Sequence, residues 1–324
     1  MNMKHLPLAL ALLLLLVTGC QSEASKAPPN ADGLRRVKLQ LNWFPEVEHG
    51  GFYAAQIHGY FREEGLEVEI IPGGTNVPVI QQLATGRVDF AVANAQQVLV
   101  GRAQDADVVA LLAPMQNSPR CIMVHAESGI TSLDKLQNVT LAVGESDTYV
   151  DFLKQTLPLT GVTIVPYSGN VSRFVKDKNF AQQAYTTSEP FIAEEQGAQP
   201  RCLLVAELGF NPYAGMLVTR GVVLRQDEEL ARKMRQACLR GWQHYLESPD
   251  ATNEVLLKLN DEMTPEALNY GVEQLRELCL PDGMSAEQLG QMNAERWNKL
   301  AEQLIHVKAI DKQPTPIEAA FWQP

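Results

Sequence analysis

The chain is poor in cysteine, in basic charge and in long apolar runs. Of its 324 residues five are cysteines, and no CxxC pair occurs. The spacings of Cys121, Cys202, Cys238 and Cys279 match no zinc pattern. Lys and Arg number 27 against 38 Asp and Glu, a formal net charge of −11. That balance argues against nucleic acid as a partner and against a general affinity for anionic lipid. After Cys20 no run is apolar enough to span a bilayer as a helix. Catalytic signatures are missing too: there is no G-x-S-x-G, no HExxH and no phosphate-cradling P-loop. Gly73-Gly74 reads as a turn, and the paired acids Glu63-Glu64 as a solvated helix end.

What is present begins with an export pattern. Lys4 and His5 precede Leu8 to Val17, an apolar stretch too short to cross a bilayer. It ends in Val17-Thr18-Gly19-Cys20, which resembles a bacterial lipobox. The resemblance implies cleavage before Cys20 and lipid attachment to its sulfur; the alternative is an ordinary secretory peptide cut nearby. Residues 1–19 are therefore expected to be a lipoprotein signal peptide and residues 20–35 a tether. Gln21 to Asp32 carries Ser, Ala, Pro and charge without an apolar period. Loss of residues 1–19 removes Lys4 and takes the formal charge from −11 to −12. The expected location is the periplasm or cell surface, held to the membrane by lipid alone. Roughly 300 remaining residues suffice for two cores of ordinary domain size. Disulfides form in such compartments. Cys238 shares an apolar helical face with Leu230, Met234, Trp242 and Leu246, which reads as a buried free thiol. Cys238 with Cys279 is the pair to test, since both fall on consecutive predicted helices.

Strands and helices alternate through the first half. Strands are predicted at Val37–Leu41, Leu66–Ile71, Val88–Ala93 and Val108–Leu112. Helices are predicted at Gly51–Gly59, Val77–Thr85 and Ala95–Ala103. This rhythm implies a parallel sheet covered on both faces. A second set follows Pro119: strands at Cys121–Val124, Thr140–Val143, Val162–Pro166, around Ala184–Tyr185 and at Cys202–Ala206, with a helix from Asp147 to Leu157. Met216–Thr219 reads as a return strand. The tail is helical over 226–247, with a Thr264-Pro265 start and a Ser285-x-x-Gln288 capping box. Two α/β sets, with a chain that leaves and returns, predict two lobes and a cleft.

The most informative segment is Leu41-Asn42-Trp43-Phe44-Pro45-Glu46-Val47-Glu48-His49-Gly50-Gly51-Phe52-Tyr53. It places rings, carboxylates and an imidazole at the carboxyl end of the first strand, where α/β folds bind small molecules.

Gly59-Tyr60-Phe61-Arg62-Glu63-Glu64-Gly65-Leu66-Glu67-Val68-Glu69 and Gly86-Arg87-Val88-Asp89-Phe90-Ala91-Val92 resemble segments of the periplasmic solute-binding proteins of ABC importers. The resemblance runs over nearly all of residues 36–320 and takes in aliphatic-sulfonate and thiamine-pyrimidine binders. Trp43-Phe44-Pro45-Glu46 with His49-Gly50-Gly51-Phe52-Tyr53 resembles the branch that binds formylaminopyrimidine-type thiamine precursors. It implies a type II periplasmic binding protein fold, two α/β lobes joined by two hinge strands. Lobe one would be 36–117 plus 214–324, and lobe two 118–213. It also implies a monomer that carries an aminopyrimidine, without cofactor or metal, to an ABC permease and ATPase complex. One relative, a fungal pyrimidine synthase, is an enzyme that uses iron and pyridoxal phosphate and carries a cysteine-rich segment. The aligned stretch Gly209 to Met216 has no cysteine, which favours transport. The alternatives are that enzyme, a sensor for a signalling partner, or a binder of a sulfonate, riboflavin or another heterocycle. An anion binder would want Arg in the cleft, with Arg120 and Arg173 near plausible positions.

An aminopyrimidine demands ring faces and an adjacent donor–acceptor pair. Trp43 is expected to stack on it, or else to be core. His49 donates to a ligand oxygen or lies on a solvated loop, and Tyr53 lines the cleft or faces the sheet. Asn94 reaches ligand or caps its helix, and Gln116 is a weaker candidate near the hinge. In lobe two, Ser146 and Tyr149 open a helix towards the cleft. Ser188-Glu189-Pro190 resembles a family N-E-P motif; Glu189 pairs with the pyrimidine edge or supports the hinge. Asn211 and Tyr213 precede the return strand within reach of the cleft. Phe174 to Phe180 departs from the family's turn, so no contacts are assigned near 170–180.

Overall fold

A computed structural model describes residues 32–144 and 147–324. The export pattern, Cys20 and Ser146 lie outside the described residues. The first sheet holds β1 (Arg35–Gln40), β2 (Leu66–Ile71), β3 (Phe90–Ala93), β4 (Val108–Leu112) and β10 (Met216–Arg220), ordered β2-β1-β3-β10-β4. The second holds β5 (Arg120–His125), β6 (Thr140–Val143), β7 (Thr163–Pro166), β8 (Phe180–Tyr185) and β9 (Pro200–Leu204), ordered β7-β6-β8-β5-β9. Helices α1 (Gly50–Ile57), α2 (Tyr60–Glu63), α3 (Val79–Ala84) and α4 (Ala95–Ala103) alternate with the first strands. Helices α5 (Thr148–Thr156), α6 (Ser172–Lys176) and α7 (Glu189–Glu195) serve the second sheet. The tail supplies α8 (Gly221–Glu247), α9 (Asp250–Leu259), α10 (Pro265–Cys279) and α11 (Ala294–His306).

The sheets are mixed, not parallel as the βαβ rhythm predicts. β1 runs parallel to β2 and β3, but β10 is antiparallel to β3 and β4. In the second sheet β5 is antiparallel to both β8 and β9. The reason is the double crossing. Each crossover delivers a strand that enters its sheet from the cleft side, while β1, β3 and β8 leave at that side. The crossovers touch through a bridge between Met115 and Ala214.

Arg296 of α11 fastens them. Its guanidinium donates to Asn211 O at 2.8 Å and to Gln116 O, and lies 4.0 Å from the Tyr213 ring centre. Three expected ligand contacts belong to this joint instead. Gln116 Nε2 donates to Ala113 O and Gln291 O, each at 2.9 Å. Asn211 Oδ1 accepts from Ser118 N–H at 2.8 Å, and its Nδ2 donates to Asn117 Oδ1 at 2.9 Å. Tyr213 is 1% exposed, and its hydroxyl accepts from Asn293 N–H. Short polar side chains near a hinge are consumed by its unpaired backbone.

Helix α8 breaks at Asp227 (φ −154°, ψ 60°) and then buries Leu230, Met234, Cys238, Trp242 and Leu246 on one stripe. It seats α1, and through it the loop after β1. A Cβ on Gly241 would lie 2.1 Å from Gly51 O, and one on Gly51 2.2 Å from the Trp242 ring. The two glycines thus let the helices approach backbone to backbone. Tyr53 points into this core at 3% exposure, which pushes its hydroxyl pKa up to about 12. Cys238 and Cys279 are buried and unbonded, and burial raises both thiols. Around 170–180 the chain forms α6, whose buried Phe174 stacks on His125 at 4.0 Å. Among the described residues no helix is long and apolar enough to cross a membrane.

Candidate functional site

Between the sheets lies a cavity of about 440 Å³, within the range of small-molecule clefts. Its first wall is the loop between β1 and α1, together with Asn94 after β3. Its second wall comes from Arg120 at the start of β5, Tyr149 of α5, Tyr167 after β7, Gln183 and Tyr185 of β8, and Glu189 of α7. Trp43, His49, Asn94, Tyr149 and Glu189 meet there. Tyr53, Gln116, Asn211 and Tyr213 do not line it.

The loop after β1 folds on its own polar groups. Glu46 caps the His49 backbone N–H, with the Trp43 indole and the Ser188 side chain as its polar neighbours. Burial first, then the neighbouring Glu48 and Glu189 charges, hold its pKa well above the usual carboxylate range. Glu48 is 6% exposed and accepts from the Thr187 hydroxyl. Burial pushes its pKa up to about 7.

His49 is neutral, its pKa lowered to about 3 by burial. Nδ1 accepts from Glu46 N–H at 3.4 Å, so the proton sits on Nε2, which donates to Asn42 Oδ1 at 3.0 Å. Both nitrogens are therefore spent within the loop. The donation to a ligand oxygen expected of His49 is replaced by this internal role. Trp43 is partly buried and packs edge-on against the exposed Phe44 at 5.5 Å.

Asn94 joins the two walls. Its Oδ1 accepts from Gly215 N–H at 2.9 Å, and its Nδ2 donates to the Tyr185 hydroxyl at 3.2 Å. It also precedes α4, donating its own N–H to Gln97 Oε1. Glu189 accepts from the Tyr167 hydroxyl at 3.0 Å and from Tyr185 N–H at 2.8 Å, and burial raises its pKa. Each oxygen keeps acceptor capacity for a ligand donor. Tyr149 donates to Gln183 Oε1 at 2.6 Å. The guanidinium of Arg120 lies over the rings of Tyr185 and Tyr149, at 4.4 and 5.1 Å.

Tyr167 and Tyr185 stand just after and at the end of strands, yet neither is among the site residues expected from the sequence, where β8 is recognised only over its last residues. Arg120 escapes the strand-end rule for a different reason. In an antiparallel strand the amino end faces the cleft, and Arg120 pairs in register with Tyr185. Among the described residues no cluster of three or more His, Cys, Asp or Glu is placed to hold a metal.

Residues 46–252 match the family model described as NMT1/THI5 like. Over 96% of its length the chain is 25% identical to the riboflavin-binding protein RibY of Chloroflexus aurantiacus, 94% of which is covered. It is 23% identical to the formylaminopyrimidine-binding protein of Halalkalibacterium halodurans, over 97% of both chains. The crystal structure of the periplasmic aliphatic sulphonate-binding protein SsuA of Escherichia coli superposes with a TM-score of 0.66 at 12% identity. That match covers 89% of this chain and 92% of that one. It establishes the periplasmic binding protein fold.

Proposed function

We propose that this chain, which belongs to the NMT1/THI5-like family, is an extracytoplasmic solute-binding protein for an aminopyrimidine-type thiamine precursor. The cleft captures the cargo, and an ABC permease with its ATPase receives it. Cys20 carries the lipid anchor. Residues 36–117 plus 214–324 form one lobe and 118–213 the other, in a monomer that works without cofactor or metal. The observation that carries the reading is that the cavity brings together the Trp43 ring, Glu46 and Glu48 of the first wall and Glu189 of the second. A ring face and carboxyl acceptors are what an aminopyrimidine requires. Two relatives matched along 94% and 97% of their length are named for binding, not for catalysis. Riboflavin is the second reading. The volume of about 440 Å³ leaves room beyond one pyrimidine ring, and a relative is named for that ligand.

A thermal-shift screen of aminopyrimidines, riboflavin and alkanesulfonates on the purified protein tests this. A rise in melting temperature with an aminopyrimidine is expected. A rise with sulfonates alone overturns it. Release of a Cys20→Ser variant from the membrane fraction tests the anchor.

A further inference from the structure

Arg120 presents a charged group in the cavity wall. Its backbone N–H donates to Ser118 Oγ at 3.3 Å, but its guanidinium makes no hydrogen bond or ion pair among the described residues. Among the described residues it lies against the faces of Tyr185 and Tyr149, with the Asp147 and Glu189 charges beyond contact distance. Other inward-turned arginines are engaged, as Arg296 is with the carbonyls of Gln116 and Asn211. An arginine drawn out of bulk water and left unmated is costly unless something completes it.

Four carboxyl groups, Glu46, Glu48, Asp147 and Glu189, line the same cavity. None is within ion-pairing distance of the guanidinium. Glu189 is held by Tyr167 and Tyr185, and Glu48 by Thr187.

The neighbouring donors converge with it. Gln183 Oε1 accepts from Gly144 N–H at 2.7 Å and from the Tyr149 hydroxyl at 2.6 Å. Two donors on that atom fix the amide orientation and leave its NH₂ unengaged. The Tyr185 hydroxyl accepts from Asn94, so its own proton is left to donate. Arg120, Gln183 and Tyr185 therefore make a donor corner on β5 and β8, facing a cavity otherwise rich in carboxyls. An oxygen with two lone pairs matches the corner. An anion matches the corner less well, since each of the four carboxyls that ionises stands against it.

We infer that Arg120 anchors a carbonyl oxygen of the cargo, so that the cargo is a flat heterocycle, uncharged or cationic, with a carbonyl at one edge and N–H donors at another. This rests on the reading of the cleft as a capture site.

Titration calorimetry of the wild type, Arg120→Met and Arg120→Lys tests it with four probes. They are formylaminopyrimidine, the same pyrimidine with its formyl group removed, riboflavin and ethanesulfonate. The wild type should bind a carbonyl-bearing probe, and Arg120→Met should weaken that probe about tenfold or more, the scale of one charge-assisted hydrogen bond. Arg120→Lys should fall between, because an ammonium is a point donor. The deformylated probe should be bound no more weakly by Arg120→Met than by the wild type, which also reports that the variant folds. Equal weakening of both pyrimidines, or none, overturns the anchor while leaving capture of a heterocycle in place. A wild type that takes ethanesulfonate and no heterocycle overturns both.

Discussion

Replacing Glu48 with glutamine should stabilise the protein above neutral pH. The carboxyl is buried and its pKa is raised from 4.5 to about 7. Between those values the unfolded chain has released a proton that the native chain keeps, so stability falls as pH rises through the window. At about 1.4 kcal/mol per pKa unit, the full penalty above pH 7 is about 3 kcal/mol. Glutamine removes the ionisation and keeps an oxygen to accept from the Thr187 hydroxyl. Urea unfolding of both proteins at pH 8 and pH 5 measures the difference. The variant should gain up to about 3 kcal/mol at pH 8, with most of that gain gone at pH 5. A variant less stable at pH 8 refutes the reasoning. So does a difference of equal size at both pH values, which would come from packing and not from a proton.

Arg296→Met keeps the side-chain stem but deprives the buried carbonyls of Gln116 and Asn211 of a charged donor, and should cost about 2–4 kcal/mol in urea unfolding. Gly241→Ala brings a methyl to 2.1 Å from Gly51 O and should cost about 1–3 kcal/mol, read as a lower melting temperature. Trp43→Ala should weaken binding of the cargo by about 1–3 kcal/mol in calorimetry; unchanged affinity would remove Trp43 from the contact surface.

The fold was largely legible in the residues. Ala95–Ala103, Val108–Leu112 and Thr140–Val143 were predicted to the residue, because apolar runs there end at sharp breaks. Strand direction was not legible, since the β10 and β5 sequences say nothing of the side from which the chain re-enters a sheet. In the site, the strand-end rule led to Trp43 and Asn94 but not to Arg120, which the sequence offered only as a cleft arginine for an anion. His49 and Tyr53 share a motif, yet one turn of helix separates a loop-bracing imidazole from a core phenol. Gln116 and Asn211 look like ligand amides in sequence. Only the meeting of the two crossovers shows which backbone groups claim them.

Two side-chain bonds span the cleft: Thr187 with Glu48, and Asn94 with Tyr185. A latch of this kind favours the shut arrangement whether or not cargo is held. The apparent affinity is the intrinsic one scaled by the competent fraction, so weakening the latch and weakening the cargo contacts need not have the same sign. Under the proposed role, a receptor shut without cargo would compete for the transporter. A transporter responding to lobe position alone would spend cycles on vacant receptors, whereas one that also requires the latch bonds to be exchanged for cargo contacts would not.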